Sequence, residues 1–168
     1  VKKLYLIGML VMLLATAPEL VWATEGSDLA VVRQATAKYH RFEVADAEGW
    51  MPLFDCISSP GQGAMGFHYI MPSRFDDQLN LSEPEVLIYE QGPQGQMKLV
   101  AVEFIIPEAA WSDDGSPTFL GQTLKYKTTV GPYGAADGVT PYYELHVWTW
   151  RHNPSGVFAD WNPNVTCG

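Results

Sequence analysis

The order of apolar and polar positions divides the chain into one helical stretch followed by a series of strands. Leu29, Val32, Ala35 or Thr36, Tyr39 and Phe42 recur at the spacing of one buried helix face. Ser27 or Asp28 can cap this helix, which is expected to run to about Glu48, where Gly49 and then Pro52 oppose continuation. Trp50 to Phe67 carries Pro60, Gly61, Gly63 and Gly66 and reads as a turned connector. Four strands follow, at Met65–Met71, Glu85–Glu90, Gln96–Ile106 and Tyr142–Arg151. Gln91-Gly92-Pro93-Gln94-Gly95 joins the second and third in a hairpin, which makes them antiparallel. Trp111 to Gly138 is rich in turns (Asp113-Asp114-Gly115, Gly131-Pro132) and holds at most a short strand at Leu124–Val130. The fold class expected is α+β: an N-terminal helix plus a four- to five-stranded, mostly antiparallel sheet, or a small half-open β-barrel.

Two strands carry the candidate chemistry. Period-two alternation along Tyr142–Arg151 puts Glu144, His146, Trp148 and Trp150 on one face, with His152 just beyond. The third strand is apolar on both faces, the mark of a central strand. Leu99, Ala101 and Ile105 share one face with Glu103, and Val100, Val102, Phe104 and Ile106 take the other. A carboxylate at such a position is costly unless it is paired, hydrogen-bonded, metal-bound or protonated.

Its partners are to be sought among few groups. The chain has four histidines, His40, His68, His146 and His152. His68 and His146 sit in mid-strand, so His68, Glu103 and His146 converge if their strands neighbour one another. Two imidazoles and a carboxylate suit Zn, Fe, Mn or Cu, which makes a divalent transition metal the candidate cofactor. Glu90, at the end of the second strand, is a candidate fourth ligand or orienting group. A second reading uses the same groups in an organic-ligand pocket walled by Trp148, Trp150, Phe158, Trp161, Phe67 and Tyr69. A third is acid–base chemistry by a His with a Glu, as in a small hydrolase or isomerase. A fourth is a closed, hydrogen-bonded core network with no site, in which Glu103 pairs with a histidine, Arg151, Tyr69 or an indole. The metal reading has no H-x-H or H-E-x-x-H spacing behind it. Nucleophile-elbow and phosphate-loop motifs are absent as well, and no catalytic residue is assigned.

Composition locates the protein more than it identifies it. Lys2 and Lys3 precede an apolar run of about 14 residues, Leu4–Ala17. This is shorter than the roughly 20 needed to span a bilayer and has the form of a secretory signal. Val21-Trp22-Ala23 offers a cleavage site before Thr24, whereas Pro18 spoils the one after Ala17. Residues 1–23 are therefore expected to be a cleaved signal peptide and 24–168 a single globular domain, secreted or periplasmic. Cleavage removes Lys2, Lys3 and Glu19, so the formal charge passes from −9 to −10. That charge disfavours nucleic acid and anionic lipid as partners, and no stable membrane insertion is expected after cleavage. Cys56 and Cys167, the only two cysteines, are expected to pair in an oxidising compartment. The Asn-Pro steps at Asn153 and Asn162 would turn the C-terminal segment back onto the domain.

The stretches GAMGFHYIMP, PEVLIYEQ, LVAVEFIIP and HVWTWRHNPSGVFADWNPNVTC together resemble a group of small exported proteins of unknown function. The resemblance spans nearly all of the expected mature chain and implies no activity, cofactor or catalytic residue. The paired-histidine motif of cupins is missing. The reading that combines these observations is an exported binding protein for a small molecule or metal ion, its oligomeric state open.

Overall fold

The computed structural model describes residues 19–128 and 141–168. Helix α1 spans Glu19–Thr36, a 3-10 turn follows at Ala37–His40, and α2 spans Phe42–Ala47. The single helix expected to Glu48 is thus broken in two, and it begins before Ser27. The break has local causes. The Thr36 hydroxyl donates back to the Val32 carbonyl at 2.7 Å, a bond that bends helices. Three residues on, the Tyr39 carbonyl accepts the buried Tyr89 hydroxyl at 2.9 Å, an attachment to the sheet rather than to the helix. Of the expected signal segment, residues 1–18 lie outside the described residues, as does the Gly131-Pro132 turn.

Eight strands follow among the described residues: β1 Met51–Ser59, β2 Gly63–Ile70, β3 Val86–Gln91, β4 Met97–Pro107, β5 Thr118–Phe119, β6 Gln122–Thr123, β7 Lys125–Lys127 and β8 Tyr142–Val147. Six form one antiparallel sheet in the order β1-β2-β3-β4-β8-β7, and β5 pairs with β6 as a separate hairpin. The sheet exceeds the four to five strands expected because β1 replaces much of the predicted connector. Strand β1 pairs with β2 through three register irregularities, so Pro52 and the serines at its end are tolerated on an edge. Strand β7 realises the short strand expected at Leu124–Val130 as far as it is described. The hairpin between β3 and β4 closes as expected, with Gly92 N–H donating to the Gln96 carbonyl at 2.8 Å.

Strand β4 is central and buried from Leu99 to Pro107. One face of the sheet (Leu87, Tyr89, Val102, Phe104, Leu145, Val147) packs on Leu29, Val32, Tyr39 and Ala45 of the helical layer. The other face (Val86, Ile88, Ala101, Ile105) packs with Trp148 and with Val165 from the C-terminal segment. A bulge at Val100 corrects the expected facing, since Ile88 pairs with Ala101 but Tyr89 with Leu99. Leu99 therefore joins the helix side and Val100 the opposite side.

The C-terminal segment wraps across that second face. Asn162 and Ala64 exchange backbone hydrogen bonds of 3.1 and 3.2 Å. Gly63, at φ 97°, makes this approach possible, since a Cβ there would lie 2.1 Å from the Asn162 carbonyl oxygen. Asn153 and Asn162 each accept a backbone N–H two residues on, at 3.0 and 2.9 Å, and so fold the wrap locally. The Cys56–Cys167 disulfide fastens its end to β1, with 5.5 Å between Cα atoms. Among the described residues, no helix is long and apolar enough to cross a membrane.

Candidate metal and ligand site

Register carries the candidate residues to one place. His68 on β2 lies opposite Phe54 on β1 and Ile88 on β3, Val86 on β3 lies opposite Glu103 on β4, and Glu103 lies opposite His146 on β8. Directly opposed residues project to the same side of a sheet, so His68, Glu103 and His146 share a face. Strands β2 and β4 are second neighbours, and between them β3 offers only the aliphatic chains of Val86 and Ile88. His68 reaches over these, and its Nε2 lies 3.9 Å from Glu103 Oε2. His146 Nδ1 lies 3.6 Å from Glu103 Oε1. The two imidazoles stand edge to face with centroids 5.8 Å apart. One ligating atom from each of the three residues falls within 4.8 Å of the others, and the residues are 1–2 % exposed.

The three groups line a pocket of about 400 Å³. Both edge strands contribute to it, Phe54 and Ile57 from β1 and Lys127 from β7, so the sheet curls around this face as a half-barrel. Met65 and Trp161 complete an apolar wall with Phe54 and Ile57, while Tyr142 and Glu144 lie on the polar side. Lys127 pairs with Glu144 at 2.8 Å and with Asp160 at 3.4 Å, and Lys125 also bonds Asp160.

The electrostatics follow from burial. Desolvation, reinforced by the nearby His146, pushes the His68 imidazole down to about 3, and burial likewise lowers His146 despite the neighbouring Glu144. Both rings are neutral at pH 7. Burial raises the Glu103 carboxyl well above the ordinary range, and the adjacent Glu144 carboxylate adds to the effect. Burial alone would depress the Lys127 ammonium, but Glu144 and Asp160 outweigh it and hold the group above its usual value. Both ring nitrogens of His146 are buried with no hydrogen-bond partner, and His68 Nδ1 has none of good geometry, although the Gly66 backbone acts on the His68 ring as an acceptor. Groups of this kind are normally satisfied in a folded interior.

The remaining sequence candidates lie elsewhere. Glu90 shares the face but sits beyond the pocket, where it accepts the Thr166 N–H at 3.2 Å and anchors the wrap. Tyr69 neighbours His68 in sequence and so points to the opposite face, onto Phe42 and Tyr89. Strand β8 ends at Val147, before the Arg151 expected. The Val100 bulge carbonyl accepts the N–H groups of both Trp150 and Arg151, at 3.2 and 3.0 Å, and turns the chain. Trp150 is thereby carried to the helix side, against His40 and Thr36. Trp148 stays on the face of His146 but is sealed under the wrap, its indole donating to Ala159. Arg151 bonds the Asn164 carbonyl rather than Glu103.

The pocket and its ion pairs also take in Lys127, Tyr142 and Asp160, which the sequence analysis does not single out, and Glu144, which it places on the face of His146 without a role. Tyr142 and Glu144 lie four and two residues before His146 on one strand face, which is a legible signal. Lys127 and Asp160 had none, because their place depends on the pairing of β7 and the path of the wrap. No family model, curated protein or solved structure matches this chain, so what the site does must be argued from its own side chains.

Proposed function

We propose that this is an exported binding protein that holds a divalent transition metal ion on His68, Glu103 and His146, with the adjoining pocket open to a small molecule. The observation that carries the reading is the convergence of two buried imidazoles on one carboxyl group at the floor of a pocket, with His146 Nδ1 facing Glu103 and lacking a hydrogen-bond partner. A satisfied core network would hydrogen-bond the imidazoles to the carboxyl, and Glu103 stands 3.6 Å from His146 Nδ1 and 3.9 Å from His68 Nε2 instead. A metal ion between them would accept the imidazole lone pairs and take the place of the Glu103 proton. Neutral imidazoles and an ionised carboxylate are the states a metal requires. Three protein ligands leave a position open toward the pocket, as in sites that bind a further ligand. Export is supported by the formed disulfide and by the signal-like N-terminal sequence.

The test is elemental analysis of disulfide-intact protein beside the His68→Ala, His146→Ala double variant. One equivalent of metal in the parent and none in the folded variant is the expected result. A parent that stays empty after incubation with Zn²⁺, Co²⁺, Mn²⁺ and Fe²⁺ rejects the reading.

One observation favours a second reading. The Glu103 carboxyl, held well above the ordinary range by burial and hydrogen-bonded to the Glu144 carboxyl, gives the paired-carboxyl arrangement of acid–base chemistry in a small hydrolase or isomerase. Turnover of a bound compound that is lost in Glu103→Gln would support it, and saturable binding without turnover counts against it.

A further inference from the structure

Charge balance and shape in the pocket narrow what would occupy the open metal position. Beyond the three metal-binding side chains, the titratable groups around the floor are Lys127, Glu144 and Tyr142, with Asp160 and Lys125 behind them. The two ammonium groups and the two carboxylates offset one another within the ion pairs already described. Tyr142 is pushed upward by burial, with Glu103 and Glu144 adding to the effect, and stays neutral. The imidazoles contribute no charge. A divalent ion on two neutral imidazoles and one carboxylate therefore leaves a single positive charge, buried and uncompensated.

Such a charge is costly in a desolvated site. A monoanion cancels it, a neutral molecule leaves it standing, and a dianion or a cation replaces it with an imbalance of one or two charges. Lys127 is no independent anion receptor, because its ammonium is already engaged by two carboxylates.

The wall opposite the ion pairs is apolar. Phe54, Ile57 and Met65 form their own cluster, with Trp161 of the wrap packed against it, and the Phe54 ring stands edge to face with His68, centroids 5.6 Å apart. A ligand whose anionic end reaches the floor must lay its body along this wall. At about 400 Å³ the space lies near the lower end of small-molecule pockets, which suits one or two rings or a short branched chain.

We infer that the metal-loaded site binds a small monoanionic oxygen ligand with an apolar body, of the aromatic or branched aliphatic carboxylate class, whose carboxylate completes the metal coordination while its body packs on Phe54, Met65 and Trp161. The inference rests on the metal reading above. It also gives Trp161 a role: the wrap that the disulfide fastens supplies part of the ligand's wall.

The test loads the disulfide-intact protein with Co²⁺ and follows the visible ligand-field bands while benzoate is added. The expected result is one bound cobalt whose bands shift saturably with benzoate. Acetate, which has the same charge and no body, should need about tenfold or more higher concentration. Benzylammonium and benzyl alcohol should leave the bands in place. Bound cobalt with bands indifferent to benzoate overturns the ligand class and leaves the metal reading standing. A response to acetate as strong as to benzoate overturns the role of the apolar wall, and a stronger response to benzylammonium overturns the charge argument. Failure to bind cobalt overturns this inference together with the metal reading.

Discussion

At the scale of single residues, Glu103 separates a functional site from a structural network. Its side chain is buried, neither His68 nor His146 lies close enough to hydrogen-bond it, and it is hydrogen-bonded to the Glu144 carboxyl, which keeps Lys127 as a second partner. Replacing a buried polar group by an apolar one of similar shape is near neutral or stabilising when no partner is left stranded. Glu103→Met is therefore expected to keep or raise the stability of the metal-free protein, by up to about 2 kcal/mol in denaturant unfolding, while abolishing metal binding. A loss of about 3 kcal/mol or more would show that the carboxyl holds the core together instead. Glu85 makes a contrasting case. It is buried at the start of β3, where its carboxyl accepts the Ile105 N–H at 2.9 Å and caps the ladder of β4. Burial pushes it up to about 8, with the Ile105 bond and Arg74 pulling down and Asp76 adding to the rise. Between about 4.5 and 8 the folded protein keeps a proton that the unfolded chain has lost, so stability falls as pH rises through that window and levels off above it. Glu85→Gln retains an acceptor for Ile105 and should flatten that slope. Unfolding free energies measured from pH 5 to 9 for both proteins check this, and parallel profiles would refute it.

At the scale of elements, the C-terminal wrap supplies part of the pocket wall without a long strand or helix of its own. It is held by the Ala64–Asn162 pair, by the disulfide, by side-chain bonds with Trp148, Arg151 and Glu90, and by Val165 in the core. Gly63→Val places a side chain against the Asn162 carbonyl in a backbone region that β-branched residues avoid, so the wrap must lift. A cost of about 2–4 kcal/mol and faster proteolysis after residue 150 are expected, with metal binding retained because no metal-binding residue belongs to the wrap. Loss of metal together with the wrap would show that Trp161 and its neighbours hold the imidazoles in place. What could be read from sequence follows the same division. Strands β3 and β4 and the convergence of His68, Glu103 and His146 were legible because each strand has a regular hydrophobic pattern. Strand β1 was hidden: Pro52, Asp55, Ser58 and Ser59 break its alternation, and its irregular pairing with β2 supplies what the pattern lacks. The facing of Trp150 depended on a single bulge at Val100, which no local signal announces. Tyr69 was misplaced for a simpler reason, since adjacent strand residues cannot both face one pocket.

At the scale of the whole molecule, the site joins strands that are distant in the chain. His68, Glu103 and His146 come from β2, β4 and β8, so the unfolded polypeptide holds no such site, and the proposed metal binding would be linked to folding. The disulfide does not replace this link. It closes a span of 111 residues and limits the freedom of the unfolded chain, but it lies at the rim between β1 and the C-terminus and leaves the central strands to packing. A metal present at about 100 times its dissociation constant should stabilise the fold by about 2.7 kcal/mol. For a domain of this size that corresponds to a rise in Tm of roughly 5–10 °C. An acidic chain, with a formal charge of −9, also attracts divalent cations at exposed carboxylates, and that background must be separated from the site. Mg²⁺ and Ca²⁺ share the background but prefer all-oxygen ligands, so they should shift Tm by no more than about a degree or two. Zn²⁺ or Co²⁺ should give the full rise in the parent and only the background rise in His68→Ala, His146→Ala. If all four ions act alike, or if the double variant responds as the parent does, the stabilisation comes from the acidic surface and the three buried groups take no part in it.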